Sequence, residues 1–343
     1  MIAMSGPAST HSPSPELFFQ TANSYQKTAL LRAAVELEVF TAVAEGNQDV
    51  PSIAARIQAT ERGTRILCDN LTVTGFLMKQ DGRYSLTPDS AQFLDRRSPA
   101  YMGGALEFLN TPRLMSAFDN LAEVIRQGHT VLSEEGAMEP ENPMWVQFAH
   151  AMVPLMMMPA EAIAQAVGAS RSGPMKVLDI AAGHGIFGIT IARHNAKAEI
   201  HAVDWANVLE VAKENAAKAG IAGRYHTIPG SAFEADFGSG YNLVLLTNFL
   251  HHFDEPSCTG LLRKVHGALQ NGGRAVTLEF VPDENRVTPP IPAGFSLITL
   301  AGTRGGEAYT FPELERMFRT AGFSSSERIA LPGSPQTLVV STK

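Results

Sequence analysis

Two residues far apart in the chain, His251 and Glu279, lie at the ends of apolar runs: His251 just after Tyr241 to Asn248, Glu279 within Arg274 to Phe280. Runs of that length read as strands of a parallel sheet covered on both faces, and neighbouring strands deliver the residues at their carboxyl ends to one rim. A carboxylate on one ring nitrogen of a histidine fixes the tautomer and favours the imidazolium formed when the other nitrogen takes a proton, so the pair would be a general base. The plainer account is a loop histidine capping the next helix and a solvated strand-end glutamate. What favours the base is a ligand-binding loop on the same rim.

That loop lies in Val177-Leu178-Asp179-Ile180-Ala181-Ala182-Gly183-His184-Gly185-Ile186-Phe187-Gly188. A strand, Met175 to Ile180, runs into small residues and glycines, and a helix, Ile186 to His194, follows. Glycine lets the backbone approach a ligand closely, and the helix N-terminus offers unpaired N–H groups. Gly183, Gly185 and Gly188 match the G-x-G-x-x-G of nicotinamide dehydrogenases. Asp179 argues instead for a ligand with a cationic amino or sulfonium group, since it would repel a pyrophosphate. Asp204, 21 residues after Gly183, follows the strand Glu199 to Val203, where it would take ribose hydroxyls. No metal is expected on His251, His252 and Glu279, because adjacent histidines on an extended segment point to opposite sides.

The elements that must position these residues alternate along the second half of the chain. Strands are expected at Met175–Ile180, Glu199–Val203, Arg224–Ile228, Tyr241–Asn248 and Arg274–Phe280, with helices between that include Val208–Ala219 and Cys258–Leu269. Phe311–Gly322 then precedes a final β-pair, Glu327–Leu331 and Gln336–Thr342. The pattern predicts an α/β fold, a Rossmann-like, doubly wound and mostly parallel sheet with an antiparallel C-terminal strand. Upstream, Glu16 to Glu45 has helical periodicity, with Leu30, Leu31, Ala34, Leu37 and Phe40 on one face. A short helix from Pro51, another over Thr64–Met78 and a strand at Gly82–Thr87 complete a winged-helix pattern. Ala100 to Gly168 is helical, broken at Gly128 and at Glu134–Pro143. Met144, Phe148 and Met152 recur there every four residues, and Met156, Met157 and Met158 follow. Core packing explains such a stripe, but a polarisable methionine-rich wall beside the ligand-binding domain suits an apolar substrate, which makes Phe148 and Met152 candidate contacts. The expected division is a disordered tail over 1–15, a winged-helix module over 16–100, helical connector and pocket helices over 101–170, and the ligand-binding domain over 171–343.

Composition sets the bounds. With 343 residues, 45% hydrophobic and 18% charged, the chain is long enough for two cores. A net charge of −7 argues against a general nucleic-acid or anionic-membrane binder. Residues 1–100 hold nine Lys/Arg and ten Asp/Glu, so the winged module reads as a dimerisation element rather than a phosphate-binding one. Cys68 and Cys258 form no disulfide framework, which fits a reducing, cytoplasmic setting. Met1 to Pro15 has neither a basic region nor a long apolar core and predicts no secretory signal. Pro154, Pro159 and Glu161 interrupt Ala151–Val167, so no membrane span is expected there.

These residues together resemble the S-adenosylmethionine-dependent O-methyltransferases of the plant caffeate and acetylserotonin type, with their bacterial secondary-metabolite branch. The resemblance covers about residues 15 to 343. It rests on Val177-Leu178-Asp179 with the glycine loop, Asp204, Phe249-Leu250-His251, Glu279 and Ala321-Gly322-Phe323. It implies a homodimer through the N-terminal module, S-adenosyl-L-methionine as cofactor with S-adenosyl-L-homocysteine as product, and a small-molecule acceptor. It further implies backbone contacts from Gly183 and Gly185, the ribose on Asp204, and the adenine edge against Trp205. Ser231, Ala232 and Phe233 would surround the adenine and Asn248 the methionine portion. His251 takes the place of the catalytic base and Glu279 of its orienting acid, while Phe148 and Met152 fall on the substrate-facing helix.

The pattern departs in three places. Ser231 stands for an acidic residue, Thr247 for a lysine frequent in plant members, and Ala308 for a second orienting acid, with Glu307 adjacent. Methylation of an enolisable keto acid at carbon, with or without metal help, and a non-catalytic cofactor-binding regulator are the alternatives to oxygen methylation.

Overall fold

The computed structural model describes residues 12–132 and 141–343. Most of the expected N-terminal tail and of the loop Glu134–Pro143 lies outside the described residues. The chain separates into two compact units, one ending at Leu106 and the other beginning at Glu107.

In the first unit the long helical pattern at the start resolves into three helices, Glu16–Ala22, Ser24–Glu36 and Val39–Ala44. The division before Val39 has a local cause: Glu38 adopts left-handed backbone with φ 57°, which no helix continues through. Asp49 then caps Val50–Arg56 through its side chain on the Ser52 N–H, and Thr60 caps Glu61–Val73. The latter ends earlier than expected, because Leu77 and Met78 belong to a strand, β1 (Leu77–Gln80), that pairs antiparallel with β2 (Arg83–Leu86). Ala34, Phe40, Ile53, Cys68, Leu71 and Tyr84 fill the core beneath this wing. Asp69 on the third helix of the winged pattern takes ion pairs from Arg65 at 3.1 Å and Lys79 at 2.6 Å. The helix Glu16–Ala22 buries none of its residues within the chain and leaves Leu17, Phe18 and Phe19 exposed.

The second unit is built on a seven-stranded sheet: β3 (Met175–Ile180), β4 (Ala198–Asp204), β5 (Tyr225–Pro229), β6 (Tyr241–Thr247), β7 (Leu269–Glu279), β8 (Ser325–Ala330) and β9 (Thr337–Thr342). Their order is β5-β4-β3-β6-β7-β9-β8. All pairs from β5 to β7 are parallel, and the C-terminal hairpin joins antiparallel, with β9 against β7. The chain winds outward from β3 through β4 to β5, then returns to β6 and winds the other way. The crevice at the carboxyl ends of β3 and β6 is therefore the switch point where open α/β sheets bind ligands.

Alternation along β3 sends Val177 to one face and Leu178 and Ile180 to the other, giving two cores, one on each side of the sheet. The first lies under the helices Ile186–His194, Ala206–Lys218 and Pro143–Ala166, the second under Glu255–Ala268 and Phe311–Ala321. The helix Pro143–Ala166 follows the helical pattern expected after the loop ending at Pro143. It runs unbroken through Pro154 and Pro159, and by length and composition it is apolar enough to cross a bilayer. Here Ala160, Ile163 and Ala164 are buried in the first core, and the helix packs on Ile186–His194.

Helix Ile186–His194 sits close to β3 and β4 because Gly188 faces them without a side chain. A β-carbon at Gly188 would stand 2.7 Å from Ile200 Cγ2 and 2.9 Å from Asp179 Oδ2. Gly188→Ala is expected to lower stability by about 1–3 kcal/mol, measurable as an earlier urea midpoint at unchanged m.

Candidate active site

The glycine loop is a sequence of left-handed turns: Ala181 has φ 53°, Gly183 55° and Gly185 73°. The alanine at such a φ is strained, and a tight turn enforces it. A β-carbon on Gly183 would meet nothing nearer than the Ala181 carbonyl at 3.9 Å, so this side of the loop is open for a ligand. On the other side Gly185 is tightly covered, since a β-carbon there would fall 2.6 Å from the Tyr225 hydroxyl. Asn215 Nδ2 ties the loop by donating to the His184 carbonyl at 2.9 Å. The His184 ring accepts the Ile186 N–H through Nδ1 at 3.2 Å, and burial pushes it down to about 4, so it stays neutral.

The structure gives Asp179 a place different from the one expected. Its carboxylate faces the helix side of the sheet, fully buried, and Oδ2 accepts the Gly188 N–H at 3.1 Å. Oδ1 and the buried Tyr225 hydroxyl have no hydrogen-bond partner among the described residues. Burial pushes Asp179 up to about 8, leaving it largely protonated near neutrality. It therefore supports the loop from beneath instead of lining the open rim as a fixed negative charge. Asp204, at the end of β4, stands at the loop itself: Oδ2 accepts the Gly183 N–H at 2.8 Å and Oδ1 the Trp205 N–H at 2.7 Å. Burial raises it to about 6, against the opposing pull of those two N–H groups.

Trp205 precedes the helix Ala206–Lys218 and packs with Val208, Val211 and Trp145. Beyond β5, Ser231 Oγ accepts the Phe233 N–H at 3.2 Å, and Lys264 Nζ donates to the carbonyls of Ala232 and Ala235. Phe233 is partly exposed and stands edge-on to Phe253 at 4.8 Å. The sidewall that Ser231, Ala232 and Phe233 form is thus apolar at its tip and fixed at its base by a lysine.

On the opposite wall, β6 and β7 bring His251 and Glu279 together. Glu279 Oε1 accepts the N–H groups of Phe249 at 3.1 Å and Leu250 at 2.9 Å, while Oε2 meets His251 Nδ1 at 2.5 Å. A carboxylate only accepts, so the shared proton is on Nδ1 and Nε2 is the nitrogen left for another partner. His251 is 6% and Glu279 3% exposed. The turn Leu250–His252 is held from behind as well. Cys258 Sγ donates to the Leu250 carbonyl at 3.2 Å, and Tyr309 Oη to the Phe253 carbonyl at 2.6 Å. Burial pushes the Cys258 thiol up to about 12, so it remains a donor. Neither Cys258, Tyr309 nor Gly306, which packs on the His251 carbonyl, carries a sequence signal for this role.

Around the histidine the surfaces are aromatic. Phe295 stands edge-on to His251 at 4.9 Å and stacks on Phe280 at 4.0 Å. His252 lies 4.3 Å from His251 and edge-on to Trp145, and burial with the neighbouring His251 drives it well below its usual range. Trp145 and Phe108 meet Phe148 edge-on on the helix Pro143–Ala166. Met152 lies one turn further along that helix, and Met156, one turn beyond it, reaches Asn248. Asn248 itself closes β6 in left-handed backbone, φ 54°. Glu307 is on the surface, ion-paired with Arg286 at 3.5 Å, and Ala308 beside it is fully buried, so neither supplies the second acid. Among the described residues no three His, Cys, Asp or Glu side chains gather as a metal site. A surface groove of about 430 Å³ between Met157, Ile186, Thr190, Arg193 and Lys218 reaches the back of the glycine loop at Ile186 and Asn215 but includes neither Asp204, His251 nor Glu279.

Comparison with known proteins agrees with this architecture. Residues 126–324 match the O-methyltransferase domain and residues 19–96 the O-methyltransferase dimerisation domain. A 3-hydroxy-5-methyl-1-naphthoate 3-O-methyltransferase of Streptomyces sahachiroi is 30% identical over 331 residues, 93% of each chain. An L-tyrosine C(3)-methyltransferase of Streptomyces lavendulae is 27% identical over 91% of this chain and 88% of its own. The solved structure of a candidate O-methyltransferase from Nostoc punctiforme PCC 73102 superposes with a TM-score of 0.92 at 52% identity, covering 97% of this chain and all of that one.

The close contact at Gly306 makes it a sensitive position. A β-carbon there would fall 2.2 Å from the His251 carbonyl oxygen and 2.6 Å from Thr303 Oγ1. Gly306→Ala is expected to shift the His251 turn and lower kcat by ~10²-fold, the cost of a 1 Å misplacement. Affinity for a ligand on the glycine loop, read by calorimetry, should be retained within about twofold.

Proposed function

The chain belongs to the O-methyltransferase family, whose cofactor is S-adenosylmethionine, and from that membership we propose that it methylates a hydroxyl oxygen of a small aromatic molecule with His251 as general base. The observation that carries this reading is the Glu279 carboxylate, which uses one oxygen on two N–H groups of the Phe249–Leu250 turn and the other on His251 Nδ1.

The residues fit the cofactor: an open, side-chain-free bend at Gly183 stands next to a carboxylate, Asp204, with lone pairs beyond the two N–H groups it already accepts. In this reading the backbone of Gly183 and Gly185 and the Asp204 carboxylate hold the adenosyl portion. Trp205, Ser231, Ala232 and Phe233 flank the adenine, and Asn248 adjoins the methionine portion. When bound, S-adenosylmethionine supplies a methyl group already activated by its sulfonium, with S-adenosylhomocysteine as the product. The protein's work is alignment and the removal of one proton. Phe148 and Met152 present the aromatic acceptor, and His251 Nε2 takes its hydroxyl proton as the new bond forms. Glu279 stabilises the resulting imidazolium and keeps the ring from turning. The same base serves methylation at an enol or phenol carbon, the outcome named for the Streptomyces lavendulae relative; NMR of the product separates the two. We also infer a homodimer through residues 19–96, with Leu17, Phe18 and Phe19 as exposed apolar surface for a second copy.

A labelled methyl-transfer screen across phenols, flavonoids, indoles and keto acids tests the reaction. On the best acceptor His251→Ala should lower kcat by about 10²- to 10⁴-fold with unchanged affinity for S-adenosylhomocysteine; full turnover by that variant removes the histidine from the mechanism. Affinity for S-adenosylhomocysteine should also depend on pH through Asp204. A ribose hydroxyl donates best to the ionised carboxylate, and the free protein's group titrates at about 6. Binding should therefore be flat near pH 7 and weaken toward a limit of about tenfold per unit below pH 6. Asp204→Asn should bind more weakly at pH 7 and lose that slope, as read by calorimetry between pH 5 and 7.

A further inference from the structure

We propose that Gln336 is a positioning residue that turns the Asn248 side chain so that its amide N–H reads an accepting oxygen, a carbonyl or ether, on the methyl acceptor. The inference rests on the reading of this rim as the acceptor site and names a further feature of the molecule bound there.

Asn248 comes three residues before His251, and its backbone N–H donates to the Leu278 carbonyl at 2.8 Å, next to Glu279. Its side chain has two partners of unequal quality. Oδ1 accepts from Gln336 Nε2, a side chain 4% exposed at the start of the antiparallel hairpin strand. Among the described residues Nδ2 donates to the Met156 thioether alone, at 3.6 Å. A thioether is a weak acceptor, and a half-buried amide N–H left with one is poorly satisfied. Met156 continues the four-residue stripe of Met144, Phe148 and Met152, so the donor points at the face of the helix Pro143–Ala166 that carries the proposed acceptor contacts. An oxygen on the acceptor would replace sulfur as the better partner.

The polarity of that contact is not set by Asn248 alone, since an amide can turn over. In the structure Gln336 is the donor of the pair, Nε2 to Asn248 Oδ1, and that pairing leaves Nδ2 for the pocket. Gln336→Glu removes the donor. The carboxylate accepts only, so Asn248 should turn its Nδ2 toward residue 336 and present Oδ1 to Met156 and the acceptor.

The test uses phenols of one skeleton carrying either an acetyl group or an isopropenyl group of the same shape at each ring position. The wild-type enzyme should favour the best acetyl phenol over its isopropenyl counterpart by about tenfold in KM. In Gln336→Glu that ratio should fall to near one, with turnover of the isopropenyl phenol within about threefold of wild type. Retention of the ratio in the variant, or no ratio at any ring position in the wild type, overturns the proposal. Should melting show that the carboxylate variant is unfolded, Gln336→Leu, which frees the amide without adding charge, must reduce the ratio instead. Calorimetry of the same phenols on the S-adenosylhomocysteine-loaded protein separates the two readings. A binding ratio that depends on Gln336 without turnover leaves this assignment and sinks the base, whereas turnover without the ratio does the reverse.

Discussion

A buried carboxylate needs hydrogen bonds enough to offset the loss of water, and Glu279 obtains three from three consecutive residues, Phe249 to His251. Two of them come from consecutive backbone N–H groups, which fixes the turn after β6 to the end of β7. The third reaches the imidazole that this turn carries. The position of His251 is thus not chosen by its own rotamer alone. It follows from strand pairing, since Glu279 is in register with Thr337 of β9 and Leu278 with Thr247 of β6. Cys258 and Tyr309 satisfy the carbonyls on the far side of the same turn, so both ends of its peptide dipoles are anchored in the second core.

The glycine loop answers a different demand, the close approach of helix to sheet. Gly188 lets helix Ile186–His194 settle on Ile200 and Asp179, and Gly185 lets the loop lie on Tyr225. That closeness encloses Asp179 and Tyr225 with polar atoms that have no partner among the described residues, a cost concentrated under the loop proposed to meet the cofactor. The open side at Gly183 and the tight side at Gly185 are two consequences of one backbone path. The first leaves room for a bound group, and the second keeps the path from changing when the group arrives.

Most of this was legible from spacing. The alternation of strands and helices was sufficient for the parallel order and the final hairpin, and the carboxyl-end rim followed from it. The meeting of His251 with Glu279 needed only that β6 and β7 be neighbours. Other features depend on partners that no local pattern names. Period-two alternation from Val177 already turns Asp179 sideways beneath the helix, but the charge argument that placed it at the ligand ignored that direction. The helical pattern up to Gly168 holds through Pro154 and Pro159, where burial of Ala160, Ile163 and Ala164 outweighs two missing hydrogen bonds. Gly306 and Gln336 contribute a missing side chain and a single amide across more than fifty residues of chain, and neither distance leaves a periodic trace.

The distribution of rigidity around the rim bears on what the site selects. On the β6–β7 side Glu279, Cys258 and Tyr309 tie the turn that carries His251 to the backbone, and Glu279 fixes the orientation of the imidazole. On the helix side the surface is made of methionines and edge-on aromatic rings, which re-pack at little cost when a ligand's outline changes. Asn248 lies where the two meet, with its carbonyl fixed by Gln336 on the rigid side and its N–H against a thioether on the pliant one. Under the proposed reading, a site built in this way would hold the reacting oxygen strictly and the rest of the acceptor loosely. Selection among acceptors would then depend less on the wall than on the few directional contacts set into it.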